Sequence, residues 1–202
     1  MAEFKAAPFP FLSGISLEEG KSTPPMDCTI YQQLIGSLLY LTHSRHDICY
    51  AVNAASRYMY QNHDLHWKAA KRILQYIQGT RTYGIHYAAD SELELVGYTD
   101  FDWAGDSIDR KSTSGYVFMF GGGPICWSSK KQAAIALSSA EAEYRGAVNA
   151  CIQAVWLQGI LSDFDLGSTL STFLFCGNVT SPCLRLAKRT RLLALSDRAN
   201  RP

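Results

Sequence analysis

An excess of charge is the first thing this sequence lacks. Nineteen Lys and Arg stand against eighteen Asp and Glu, a formal net charge of +1. So balanced a chain is no polycationic nucleic-acid binder as a whole, and any such binding must come from local patches. Long apolar runs are missing too. No segment approaches the roughly 20 apolar residues that cross a bilayer, and the opening MAEFKAAPFPFLSG is too polar and Pro-interrupted for a secretory leader. The six cysteines, Cys28, Cys49, Cys126, Cys151, Cys176 and Cys183, include no C-x-x-C pair. That argues against a zinc site or a dense disulfide framework and sets the expectation of reduced thiols. These absences together predict an intracellular protein, of cytoplasm or nucleus, with no membrane partner and no small-molecule cofactor.

What the chain does have is apolar mass, 47% of its residues, enough for a real core. Residues 1–30 are rich in Pro, Ser and Gly and read as an irregular lead-in. Residues 31–88 carry helical periods: Leu34, Leu38 and Leu41, then Ile48, Val52, Ala55 and Met59, then Trp67, Ala70, Ile73, Leu74 and Ile77. Asp47 is placed to cap the second helix, and the third begins near Asp64 and stops at Gly79. A strand is expected at 83–87. Residues 89–178 change rhythm. LELVGYTD alternates, and SGYVFMFGGGPICWSSKKQ reads as two strands about a Gly121–Gly123 turn. Ala140, Tyr144, Ala147, Val148, Cys151 and Val155 then gather on one helix face, with Ser138 or Ser139 as cap, before the strand STFLFC at 171–176. Residues 179–202 are a basic tail with no expected element; from Cys183 on, six Lys and Arg face one Asp, Asp197. Helices followed by a strand–hairpin–helix–strand series predict an α/β (α+β) fold.

Two stretches could carry chemistry. In GYTDFDWAGD, Asp100 closes a predicted strand, where an open sheet exposes its site, though Asp100, Asp102 and Asp106 are equally ordinary turn residues. In SSAEAEYRGAV, Glu141 and Glu143 lie about 200° apart around a helix, so both cannot face one metal. Acids in a first turn also simply favour the helix dipole.

Taken together, the order YTDFDWAGD, KSTSGY, WSSKKQ, LSSAEAEYR resembles the ribonuclease H domain of copia-type retrotransposon Pol polyproteins. Upstream, YQQLIGSLLYLT, DICYAV and HWKAAKRILQYIQGT resemble the segment that joins that family's reverse transcriptase to its ribonuclease H, with His46 where the family has Pro. The resemblance covers residues 25–178 and implies a ribonuclease H-like mixed sheet with helices, preceded by a small helical connection. It also implies the family's reaction, cleavage of the RNA strand of an RNA–DNA hybrid with two Mg²⁺ held by acids. Two hard cations about 4 Å apart need several shared carboxylates. By motif, Asp100 and Glu143 are the carried-over catalytic and metal-binding acids. The third should follow STFLFC, where the family reads C-D-N; this chain reads Cys176-Gly177-Asn178. No counterpart of the fourth is found, and Asp197 has no matching flanks. LRLAK at 184–188 resembles the family's next helix, and the likeness dissolves after Lys188.

The expectation is therefore an inactive fragment, incomplete at its C-terminal end, with one sheet edge or face uncovered, and either a marginal monomer or an aggregating one. Reverse transcriptase activity is not expected, since no paired-Asp motif is present. Lys130 and Lys131, after Trp127, could contact a hybrid's phosphates or be a solvated hairpin end. A non-catalytic nucleic-acid-binding module and a domesticated interaction protein are the alternatives. His43, His46, His63 and His66 give two H-x-x-H spacings without further ligands, and His63 and His66 read as solvated. Trp67, Trp127 and Trp156 are expected as core or interface anchors.

Overall fold

The computed structural model describes residues 5–11, 17, 22–102, 111–166, 172–177 and 184–186, and the side chains of all these except 101, 102 and 184–186. The chain divides into two units, Met1–Ile85 and His86–Pro202.

In the first unit, Asp27 caps α1 (Cys28–Leu41) by accepting from the Thr29 and Ile30 N–H groups at 2.8 and 3.3 Å. Tyr31, Ile35 and Leu38 recur at helical spacing and are buried. They meet Ile48, Val52 and Ala55 of the next segment and Ala70 and Ile73 of α3 (Asp64–Gly79), with Leu34, Leu41, Met59, Trp67, Leu74 and Ile77 half-buried around them. Asp47 does not cap a helix. A 3₁₀ turn (His46–Ile48) intervenes before α2 (Cys49–Ser56), whose N-cap is Ile48 without a side-chain bond. Asp47 instead takes Arg45 at 2.7 Å and the Tyr76 hydroxyl at 2.9 Å.

No strand forms at 83–87. The Tyr87 ring lies over Gly123 instead, 2.5 Å from where a Cβ would sit, and its hydroxyl donates to the Pro124 carbonyl at 2.7 Å.

The second unit is a five-stranded mixed sheet in the order β3-β2-β1-β4-β5. Strand β1 (Val96–Asp102) pairs antiparallel with β2 (Thr113–Phe120), which turns through Gly121 and Gly122 into β3 (Gly123–Lys131). Both turn glycines have positive φ, +57° and +76°, as a tight hairpin connection requires. The chain crosses by α4 (Ser139–Asp163) to β4 (Thr172–Cys176), parallel to β1. The architecture is α/β, consistent with the expected ribonuclease H-like class.

Two expectations change here. The stretch 184–188, expected as a helix or nothing, supplies β5 (Leu184–Leu186), antiparallel to β4, so that edge of β4 is paired. Open β4 backbone is satisfied more directly by an extended neighbour than by a helix. The helix face also differs. The residues of α4 that pack on Leu95, Phe118 and Leu174 are Ala150, Ala154, Leu157 and Leu161, whereas Tyr144 and Val155 are exposed. Small side chains let the helix lie close to the sheet, and Gly97 is part of that fit. A Cβ there would come within 2.5 Å of the Phe118 ring and 2.8 Å of Leu174.

Four cysteines, Cys28, Cys49, Cys126 and Cys151, are free thiols, but Cys176 is disulfide-bonded, contrary to the expectation of reduced cysteines throughout. Spacing along a chain carries no information about which thiols a fold brings together.

Candidate functional site

Strand alternation decides where Asp100 stands. Leu95, Gly97 and Thr99 are buried on the α4 side, and the Thr99 hydroxyl donates to the Gly115 carbonyl at 3.0 Å. Asp100, one position on, is exposed and belongs with Tyr98 to the other face, where the Tyr98 ring stacks on Phe175 at 5.3 Å. Across the antiparallel ladder Asp100 pairs with Gly115. Across the parallel ladder Thr99 pairs with Cys176, and the Gly177 N–H donates to the Thr99 carbonyl at 2.9 Å. The next step of that register sets Gly177 beside Asp100. Position 177 has φ +61° and nothing within 4 Å of a Cβ, so a side chain there would have room but a left-handed backbone.

The two glutamates separate. Ser138 caps α4 by accepting from the Glu141 N–H at 3.2 Å. The Glu141 carboxylate accepts from the Leu137 N–H and from Arg145, both at 2.7 Å. The Leu137 bond first, then Arg145, hold its carboxyl below the usual range. Glu141 is thus a capping residue. Glu143 is exposed and falls seven, eleven and fourteen positions before Ala150, Ala154 and Leu157, on the helical register of the sheet-facing side. Gln132 anchors this end of α4, donating to Ser114 at 2.7 Å and to the Ala142 carbonyl at 3.1 Å. Glu143 therefore sits at the end of the sheet that carries Asp100.

Lys130 and Lys131 lie at that end too. Lys131 pairs with Thr113, which pairs with Asp102; Lys130, exposed, pairs with Ser114. Asp106, Asp197, Asn178 and the tail from 187 lie outside the described residues. Among the described residues no group of three His, Cys, Asp or Glu could hold a metal ion.

His66 is not solvated. It is fully buried, its ring stacks on Tyr58 at 4.0 Å, and both nitrogens are engaged, Nδ1 by the His63 N–H at 2.8 Å and Nε2 with the Leu17 carbonyl at 2.8 Å. Burial, more than His63 beside it, pulls the imidazole below its ordinary value, against the bond to Leu17. No ring nitrogen is left for a metal. Of the tryptophans expected as anchors, Trp67 packs edge-on to Tyr31 in the first core, whereas Trp156 is exposed. No helix among the described residues is long and apolar enough to cross a membrane.

Comparison with known proteins is decisive on ancestry. The Pol polyprotein of transposon RE2 of Arabidopsis thaliana is 40% identical over 174 residues, 86% of this chain, and that of transposon RE1 is 42% identical over 173. The chain belongs to the copia-type retrotransposon Pol polyproteins. It spans 12% of the length of those two Pol polyproteins. A short relative is covered far more fully: the secreted RxLR effector protein 161 of Plasmopara viticola is 44% identical over 128 residues, 63% of this chain and 90% of that protein. No family model and no solved structure matches the chain.

Proposed function

We propose that this copia-type Pol segment is a ribonuclease H-like fragment in which the family's reaction, two-metal hydrolysis of the RNA strand of an RNA–DNA hybrid, is lost. The observation that carries the reading is Gly177, which follows Cys176, the partner of Thr99, donates to the Thr99 carbonyl and stands where the resemblance calls for an acid. Two divalent ions close together repel strongly unless several carboxylates bridge them and fix their separation. Asp100 and Glu143 would be the ligands for Mg²⁺, and the described residues offer no third carboxylate with them. They do not fit a two-metal centre. Purified chain is expected to leave hybrid RNA intact in Mg²⁺ or Mn²⁺. Cleavage that disappears in Asp100→Asn would overturn the reading.

A second reading is favoured by the position of Lys130 and Lys131 at the same sheet end: retention of hybrid binding without cutting. Phosphate contacts release counterions, so such binding must weaken steeply with salt. The expected result is that Lys130→Ala with Lys131→Ala flattens a salt-titrated binding curve. Binding that is indifferent to salt removes this reading and leaves the first.

A further inference from the structure

Helix α4 has two apolar sides, and the sheet uses one of them. On the nearly opposite side Tyr144, Val148, Ile152 and Val155 gather, the last three at spacings of four and three, the seam of a two-stranded coil, with Trp156 beside them. This stripe is open: Tyr144 is 72% exposed, Ile152 65% and Trp156 58%. The sixteen residues 146–161 contain no charged side chain, so most of α4 lacks the solvated face of a surface helix. The patch amounts to roughly 600 Å² of apolar side chain, the upper end of what monomers expose.

The geometry points to a second copy of this chain as the occupant, each copy laying the same stripe on the other about a two-fold axis. Three features favour a copy over another partner. The coil spacing is self-complementary, as an isologous interface requires. The uncharged run removes like-charge repulsion between two identical faces. The area fits as well, since two copies would bury about 1,200 Å² in all, the lower bound of a stable interface. The stripe is short because beyond Trp156 the Gln158 side chain turns away to donate to the Thr172 hydroxyl at 2.9 Å.

Sedimentation velocity of the full chain over a hundredfold range around ~10 µM, the weak end of specific association, tests this. A dimer that dissociates on dilution is expected. Val148→Glu with Val155→Glu should sediment as a monomer throughout, with unchanged circular dichroism and melting temperature. Should the glutamates disturb folding, Ile152→Ser with Trp156→Ser, both on the open side, carries the same test. Tyr98→Ser, on the exposed face of the sheet, should leave the dimer intact. A wild-type chain that is monomeric throughout, or an assembly lost in Tyr98→Ser and kept in the α4 variants, overturns the proposal. So do large aggregates that no α4 variant changes.

Discussion

The two units bury their polar groups very differently. In the first, Arg45 is buried and gives every arm a partner: two bonds to Asp47 and two to Thr80, with the Tyr76 and Tyr83 rings at 5.8 and 6.0 Å. Burial pushes the Asp47 carboxyl up, but Arg45 and Tyr76 outweigh it and hold it below the usual range. His66 is closed in just as completely. In the second unit Leu95, Phe118 and Leu174 of the sheet region meet Ala150, Ala154, Leu157 and Leu161 of the helix, and the buried polar side chains, Thr99, Ser112, Gln132 and Thr172, are all uncharged. The first is held by specific polar pairings that tolerate little change. The second is held by close approach of one helix to one sheet, and its exposed surfaces can accept change at low cost.

Four substitutions or conditions probe that contrast, read by hydrogen exchange in each unit separately. Phe118→Ala removes the largest side chain of the second core and should cost about 4 kcal/mol there, accelerating exchange in β1, β2 and β4 while α1–α3 hold. Loosening of both units together would show that they do not melt independently. Arg45→Ala strands the half-buried Asp47 carboxylate, takes a donor from Thr80 and should cost the first unit about 2 kcal/mol. Arg45→Lys should recover little of it, because an ammonium cannot reach Asp47 and Thr80 as a planar fork. Acid should act on the first unit through His66. Its folded-state affinity for protons is lowered, so the unfolded chain binds the proton better, and stability is complete above about pH 6.5 and falls below it. The slope cannot exceed about 1.4 kcal/mol per pH unit, the limit for one proton. His66→Gln should remove this dependence. Smallest is Gly177→Asp, whose left-handed backbone should cost about 1 kcal/mol, without restoring hybrid cleavage.

Much of this was legible from residues alone, and the exceptions have physical causes. Helix α3 announced itself because its apolar period, its acidic start and its Gly79 stop all agree. The burial of His66 did not, since a histidine looks alike whether solvated or bonded at both nitrogens. The packing face of α4 was hidden because Gly146, Ala150 and Ala154 carry little hydropathy, while the residues that do carry it, Tyr144, Val148 and Val155, point away from the sheet. Asp100 and Glu143 could be named only through family resemblance. The structure adds the distinction that Glu141 is committed to capping. That Gly177 bonds to Thr99, one position before Asp100, is a fact of parallel register, which no local pattern encodes.

That register has a consequence for the order in which the sheet assembles. The β2–β3 hairpin closes across a two-residue turn, but β1 and β4 must find each other across about 70 residues, at an added entropic cost of about 3 kcal/mol. Pairing of such separation is the slow step of a mixed sheet. The β1–β4 seam is thus the last joint to close during folding, and Gly177 lies on it. A substitution at that joint leaves the early hairpin untouched, so the chain still begins to fold at an unchanged rate.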